Sequence, residues 1–424
     1  MRRAYLDNNA TTPLAPEVFE AMKPYWLADY GNASSIHWYG QRAKAAMEEG
    51  REQVARLIGA QPKEVVFTAG GTESDNAAIF GVVGAASSAS KHVVTTTIEH
   101  HAVLSTARAL EERGISVTYV PVDSSGVVDP AAVGQAIQPN TVLISVMHAN
   151  NELGTIQPIE EVGRIAREYD IWFHTDAVQT VGRIPIDVDR LGVDLLSLSA
   201  HKLYGPKGVG ALYIRRGTPL SPLLYGGHHE RDRRAGTENV PGIVGLGKAA
   251  ELACEHMQDD AINVAALRDR LEEGILCSVP LASTNGDIRH RVPGTTNISF
   301  DGIEGEGLVI ALDLQGVACS TGAACSSGSI ESSHVLTAIG RTREQARSSI
   351  RFSLGRYSAP EDVDYTLAVL PEMVERLRAR SPKKLSAISH QLSAGTAKSL
   401  HASPGDHDWR VSVGGLRDML KADS

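Results

Sequence analysis

Cysteine is scarce: four residues, Cys254, Cys277, Cys319 and Cys325, in a chain of 424. That is too few for a disulfide framework at this length, so they read as thiols of an intracellular protein. No uncharged apolar run approaches the roughly 18 residues that a membrane-crossing helix needs. The start, M-R-R-A-Y-L-D, is short and polar where a secretion signal would be apolar. The expectation is a cytoplasmic protein with no membrane partner. Basic charge is not in excess either: 41 Lys and Arg stand against 50 Asp and Glu, a formal charge of −9. A surface that tracks a phosphate backbone would show the opposite balance, so direct nucleic-acid binding is not expected. Internal repeats are absent. The pair His228-His229 lacks the Cys or carboxylate spacing that would complete a metal site, and is assigned to the turn before Glu230.

What is present is apolar content of 42%, ample for sizeable cores. β-rich runs alternate with helical patterns: Val65–Thr68, His92–Thr97, Val117–Val120, Val142–Met147, Ile171–His174, Leu195–Leu198 and Ala211–Ile214. This alternation predicts an α/β fold, a mostly parallel seven-stranded sheet covered by helices on both faces. After the Gly-rich Pro241–Gly247, a helical stretch leads from about residue 259 to a smaller α+β region with strands near Thr295–Phe300, Gly316–Ala318 and Ser349–Ser353. From Ser381 the chain turns Ser/Ala-rich, and residues 381–424 read as a tail, expected to be largely disordered.

The ends of the apolar runs carry the chemistry. Lys202 follows the strand Leu195–Leu198 within S-A-H-K-L-Y-G-P-K-G, and Asp176 and Gln179 follow Ile171–His174 within H-T-D-A-V-Q. A lysine and an aspartate at the ends of neighbouring strands are what a pyridoxal phosphate site uses: the amine bonds the cofactor, and the carboxylate keeps the pyridine nitrogen protonated. Gly70-Gly71 and then Thr72, between a short strand and a helical pattern, supply a phosphate cradle of backbone amides at a helix N-terminus. Cys325 lies in S-T-G-A-A-C-S-S-G-S, a run too small and polar to bury a thiol, and it reads as an exposed loop. Cys319, after G-V-A, reads as packing at a strand end; Cys254 and Cys277 fall in helical patterns.

With L-D-N-N-A-T-T-P (Leu6–Pro13), G-N-A-S-S-I-H (Gly31–His37), G-G-T-E-S-D-N (Gly70–Asn76), E-H-H-A-V-L (Glu99–Leu104), H-A-N-N-E-L-G (His148–Gly154), R-R-A-G-T-E-N (Arg233–Asn239), A-A-C-S-S-G-S (Ala323–Ser329) and I-R-F-S-L-G-R (Ile350–Arg356), the chain resembles the cysteine desulfurases of the NifS/IscS kind, in the class V aminotransferase group. The resemblance covers about residues 5–370 and implies the fold type I of pyridoxal phosphate transferases. It implies a large domain at 14–258 and a small domain made of 1–13 and 259–380. The implied activity converts L-cysteine to L-alanine and leaves the sulfur as a persulfide on Cys325, supplying iron–sulfur cluster assembly or thiolation. Catalytic roles fall to Cys325, Lys202 and His100, the last stacked on the cofactor ring. Gly71, Thr72, Ser199 and His201 would hold the phosphate, Gln179 the ring hydroxyl, and Asn151 and Arg351 the substrate carboxylate. Thr237 would reach the phosphate of a partner subunit, making a homodimer with shared active sites. Iron–sulfur scaffold or sulfur-acceptor proteins are the further partners implied. No metal is bound by the chain itself; Cys325 would be a ligand only to a transient cluster shared with a scaffold.

Two other readings stay open. Selenocysteine lyase, or another pyridoxal phosphate activity on this fold, is one; an aminotransferase needs no cysteine in that loop, so Cys325 argues against it. A non-catalytic scaffold subunit is the other, and the intact set Lys202, Asp176, His100 and Cys325 argues against that.

Overall fold

Alternation within each strand decides the architecture. The computed structural model describes residues 2–88, 90–322 and 332–380. In chain order the strands are β1 (Ala4–Tyr5), β2 (Val65–Thr68), β3 (His92–Thr96), β4 (Ser116–Val120), β5 (Thr141–Ser145), β6 (Trp172–Asp176), β7 (Leu195–Ser199), β8 (Gly210–Ile214), β9 (Ala282–Asn285), β10 (Thr295–Phe300), β11 (Val317–Ala318) and β12 (Ser349–Ser353). Successive side chains point to opposite faces. Val94, Ile144, Phe173 and Leu196 therefore enter one core with the helices Trp38–Ile58, Ile159–Glu168 and the first part of Val240–Ser278. Their neighbours Val93, Leu143 and Leu195 enter a second core under the helix Gly71–Ala85. Apolar residues on both faces are what a sheet covered on both sides demands.

The large sheet has the order β2-β8-β7-β6-β5-β3-β4. From β7 to β4 the pairing is parallel, and β8 runs antiparallel to both β7 and β2. The carboxyl ends of β2, β3, β5, β6 and β7 thus open on one edge, where ligands collect in such sheets. A smaller antiparallel sheet, β12-β10-β9, and the parallel pair β1-β11 share a separate core that includes Ala4, Leu6, Leu271, Ile298, Leu308, Phe352 and Leu370.

The strands Val65–Thr68, Thr295–Phe300 and Ser349–Ser353 coincide with the sequence expectation, and the others differ by a few residues at their ends. β6 and β7 run on to Asp176 and Ser199, so these functional candidates are the last residues of strands. β1 and β9 were not expected; two and four residues long, they carry too little pattern to show. The Gly-rich Pro241–Gly247 is helical, part of the 39-residue helix Val240–Ser278, which continues unbroken through residues 258 and 259. Its glycines serve close approach: a Cβ on Gly247 would lie 2.5 Å from Gly50 Cα in the Trp38–Ile58 helix. Ile243, Leu246 and Ala250 of the long helix enter the first core, and Val264, Leu271 and Ile275 the core of the smaller sheet.

A buried ion pair ties the Trp38–Ile58 helix to the segment before Thr237. Arg51 Nη1 and Nη2 donate to Glu230 Oε2 and Oε1 at 2.7 and 2.8 Å, and the Phe67 amide of β2 donates to Glu230 Oε2 at 3.0 Å. Glu230, Arg231 and Asp232 have φ of 47°, 59° and 65°, a left-handed run that non-glycine residues adopt only when held. Arg51→Leu strands the Glu230 carboxylate in the interior and should cost about 3–5 kcal/mol in denaturant unfolding, while Arg51→Leu with Glu230→Leu should recover much of that loss.

Candidate active site

Each strand end delivers one group. β2 runs into Gly70, at φ 150°, and Gly71, where a Cβ would come within 2.7 Å of Val178 Cγ2. Glycine lets the N-terminus of the Gly71–Ala85 helix sit against the turn after β6, with its free amides and positive dipole end turned to an open hollow that Thr72, Ser199 and His201 also line. An anionic group such as a phosphate fits there.

His100, after β3, is the N-cap of the helix His101–Glu111; its Nδ1 accepts the Ala102 N–H at 3.1 Å. That bond assigns the proton of the neutral ring to Nε2. Burial, then the charge of Lys202, pushes the ring down to about 4, so it is neutral near pH 7. Asp176 Oδ1 accepts the Val178 N–H at 2.9 Å, and burial pushes its carboxyl up to about 6. Lys202 follows β7 in the 3-10 turn Ala200–Lys202, its Nζ donating to the carbonyl oxygens of Asn9 and, at 2.8 Å, Ala10. Burial, then Arg183 and Arg351, brings this amine down to about 7. Two carbonyl acceptors use both hydrogens of a neutral amine and leave its lone pair free.

Arg351 arrives from β12. Its Nη2 donates to Asp7 Oδ1 at 2.7 Å and its Nη1 to the Asn151 carbonyl at 2.9 Å, while Nε is buried without a partner. The terminal fork proposed for a substrate carboxylate is thus already engaged. Gln179 Nε2 donates to the Asn9 carbonyl at 3.1 Å, and its Oε1 is a buried acceptor with no donor.

Ten of the candidates, Gly71, Thr72, His100, Asn151, Asp176, Gln179, Ser199, His201, Lys202 and Arg351, line one cavity of about 330 Å³. Thr237 is not among them: it is exposed on the surface of its own chain. Cys325 lies outside the described residues; Gly322, three positions before it, is on the cavity wall. Cys319 is buried in the core of the smaller sheet, and burial pushes its thiol up to about 12. His228 pairs with Asp232 on the surface. Among the described residues no three His, Cys, Asp or Glu side chains gather as a metal site would require, and no helix is long and apolar enough to cross a membrane.

Several residues of the site were not singled out from the sequence. Asn9 and Ala10 hold Lys202, and Asp7 holds Arg351. Arg183 donates to Asn9 Oδ1 at 2.6 Å, and burial brings its guanidinium down to about 10. Asp75 lines the cavity, and Glu99 is buried beside it. The polar run L-D-N-N-A-T-T was the available signal for the first three. Glu99 Oε1 accepts from Thr96 Oγ1 at 2.7 Å and the Met147 amide at 2.9 Å, and its Oε2 is buried with no partner. Burial pushes its carboxyl up to about 8.

The chain belongs to the aminotransferase class-V family, whose pattern matches residues 4–366. Within it the chain is one of the cysteine desulfurases. Cysteine desulfurase IscS of Dictyoglomus turgidum is 54% identical over 383 residues, 90% of this chain and 97% of that protein. IscS of Methanosarcina thermophila is 52% identical over 381 residues, 90% of this chain and 94% of that protein. Among solved structures, a NifS-like protein superposes with a TM-score of 0.84 at 41% identity, covering 89% of this chain and all of that one. SspA in complex with cysteine gives a TM-score of 0.76 at 40% identity, covering 84% of this chain and all of that one.

Glu99 sets a pH signature. Its carboxyl binds a proton more tightly folded, at about 8, than in an unfolded chain near 4.5, so its favourable contribution is complete below about 4.5 and is lost as pH rises towards 8. Glu99→Gln should flatten the fall: the difference between variant and wild-type denaturation midpoints should grow from pH 5 to pH 8 and level off above it, and a difference independent of pH would show Glu99 ionised throughout.

Proposed function

We propose that the chain converts L-cysteine to L-alanine with pyridoxal phosphate and transfers the sulfur to its own Cys325. The substrate C–S bond breaks and an S–S bond forms on Cys325, so that L-cysteine and a thiol become L-alanine and a persulfide with no outside oxidant. The observation that carries this reading is the gathering of Lys202, Asp176 and His100, from three separate strand ends, in one cavity with Arg351 and Asn151.

The residues fit the cofactor. The helix amides that begin at Gly71 border an open hollow, with Thr72, Ser199 and His201 around it, which suits a phosphate. Gln179 Oε1 and Arg351 Nε are buried polar atoms awaiting partners. When bound, pyridoxal phosphate supplies an electron sink for the substrate Cα–H electrons. Asp176 would hold a proton at the pyridine nitrogen. Lys202, with its amine brought near 7, would hold the cofactor and is basic enough to take a proton at neutral pH. His100 keeps Nε2–H as its free donor and can offer it as a hydrogen bond where negative charge grows, without giving up the proton. A substrate carboxylate competes with Asp7 for Arg351, a guanidinium already fixed in position.

We also infer a homodimer in which Thr237, exposed on its own chain, serves a partner's phosphate. We further infer a large body at 14–258 and a small body of 1–13 and 259–380, a cytoplasmic setting, and transfer of the persulfide sulfur to iron–sulfur scaffold or sulfur-acceptor proteins.

The test separates cofactor chemistry from sulfur capture. Wild-type protein should bind pyridoxal phosphate with a visible band that Lys202→Ala lacks after reduction and dialysis. Cys325→Ala should keep the band and its change on adding L-cysteine, yet release alanine more than about 1000-fold more slowly, the order expected for loss of a covalent nucleophile. Mass spectrometry after one turnover should find the extra sulfur on Cys325; undiminished alanine release by Cys325→Ala would overturn the proposal.

A further inference from the structure

The cavity floor holds more acid than its cations balance. Asp176 lines it with Asp75, 1% exposed, and Glu99, fully buried, is close enough for its charge to act on both. The neighbouring cations are engaged elsewhere: Lys202 with Asn9 and Ala10, Arg183 with Asn8 and Asn9, Arg351 with Asp7 and Asn151. Asp75 Oδ1 is buried with no hydrogen-bond partner, and the basic atom beside it, His174 Nε2, stands at 3.6 Å, beyond hydrogen-bond reach. Both nitrogens of that ring already meet hydroxyls, Ser145 Oγ at 2.9 Å and Ser197 Oγ at 3.0 Å.

Adjacent carboxyl groups in a dry site do not both ionise; they share a proton, and the better-solvated member takes the charge. Asp176 has the Val178 amide and faces Lys202. Asp75 has neither. We propose that Asp75 is a positioning residue that keeps its proton beneath the cavity, filling the floor next to Asp176 with a neutral acid and leaving Asp176 as the single negative charge presented to the cofactor. Burial and then the charge of Asp176 hold the Asp75 carboxyl well above its ordinary range, and burial pushes His174 down to about 3, so a charged ring does not compensate. Glu99 is on the same side of the balance, pushed up to about 8. The functional part rests on the reading that Asp176 meets the pyridine nitrogen; the location of the proton does not.

The proton is read directly by isotope-edited infrared spectroscopy of the full chain labelled with ¹³C-aspartate, loaded with pyridoxal phosphate and stripped of it. At neutral pH the wild type should show a carboxylic-acid C=O stretch that Asp75→Asn lacks. Spectra of ¹⁵N-histidine should show no imidazolium surviving to alkaline pH. Asp75→Ala, which empties the floor, should weaken pyridoxal phosphate binding about tenfold or more, about 1.4 kcal/mol, and Asp75→Asn, of the same shape and uncharged, should restore it to within about fivefold. No acid signal, an imidazolium that vanishes in Asp75→Asn, or an Asn variant as weak as Asp75→Ala would each overturn the proposal. Should Asp75→Asn not accumulate, an alkaline imidazolium or a missing acid band in the wild type alone decides against it. A chain that takes up no pyridoxal phosphate would defeat the proposed function, while the acid band of the unloaded chain would still locate the proton.

Discussion

Everything at the site depends on where the Lys202 amine is held, and two backbone carbonyls hold it. Asn9 and Ala10 belong to the N-terminal segment, which reaches back across the strand ends of the large sheet. The Asn9 side chain accepts from Arg183 and donates to Thr295 Oγ1 at 2.8 Å, and the preceding Asp7 grips Arg351. A stretch of four residues, Asp7 to Ala10, thereby sets the Lys202 amine, a buried cation and the Arg351 guanidinium. Neutral carbonyls are suited to this task, because a carboxylate in their place would fix a charge on the amine that the chemistry needs without one.

The second constraint is the cost of charge in a nearly dry cavity. Lysine is pushed towards neutrality, histidines are kept neutral and Glu99 is driven to hold its proton, chiefly by burial, while Asp176 rises only to about 6. Each is shifted towards the form that titrates near neutral pH or has already given up its charge, a pattern typical of reactive sites.

The fold was legible in the sequence to the extent that a period-2 apolar pattern survives in short strands. All seven strands of the large sheet were marked by short runs rich in apolar residues, although most also carry polar ones such as His92, Ser145, His174 and Ser197. The two-residue β1 and the strand A-S-T-N did not stand out, because pairing partners far along the chain make them strands. The Pro-Gly-rich start of the long helix was hidden for a related reason: glycines that weaken a helix alone are repaid by the contact between Gly50 and Gly247. In the site, Lys202, Asp176, Gly71 and Thr72 were readable because they sit at or just past the ends of strands. Asp75, Glu99 and Arg183 were not, since nothing in a helix or turn sequence says that a charged residue faces inward. Arg351 was found through the family resemblance, whereas its hold on Asp7, a contact spanning most of the chain, was visible only in three dimensions.

The long helix Val240–Ser278 also fixes a length. It roots its first half in the core beneath Lys202 and its second half in the core that carries Arg351, and its hydrogen bonding runs through the middle without a break. A helix interior has no loop residue to absorb a change of φ and ψ, so it acts as a strut and not as a hinge. The other covalent crossing among the described residues is the short N-terminal segment, and its carbonyls are already spent on the amine. The spacing between Lys202 and Arg351 is therefore set by a continuous helix and a pinned N-terminal segment, and not by a loop.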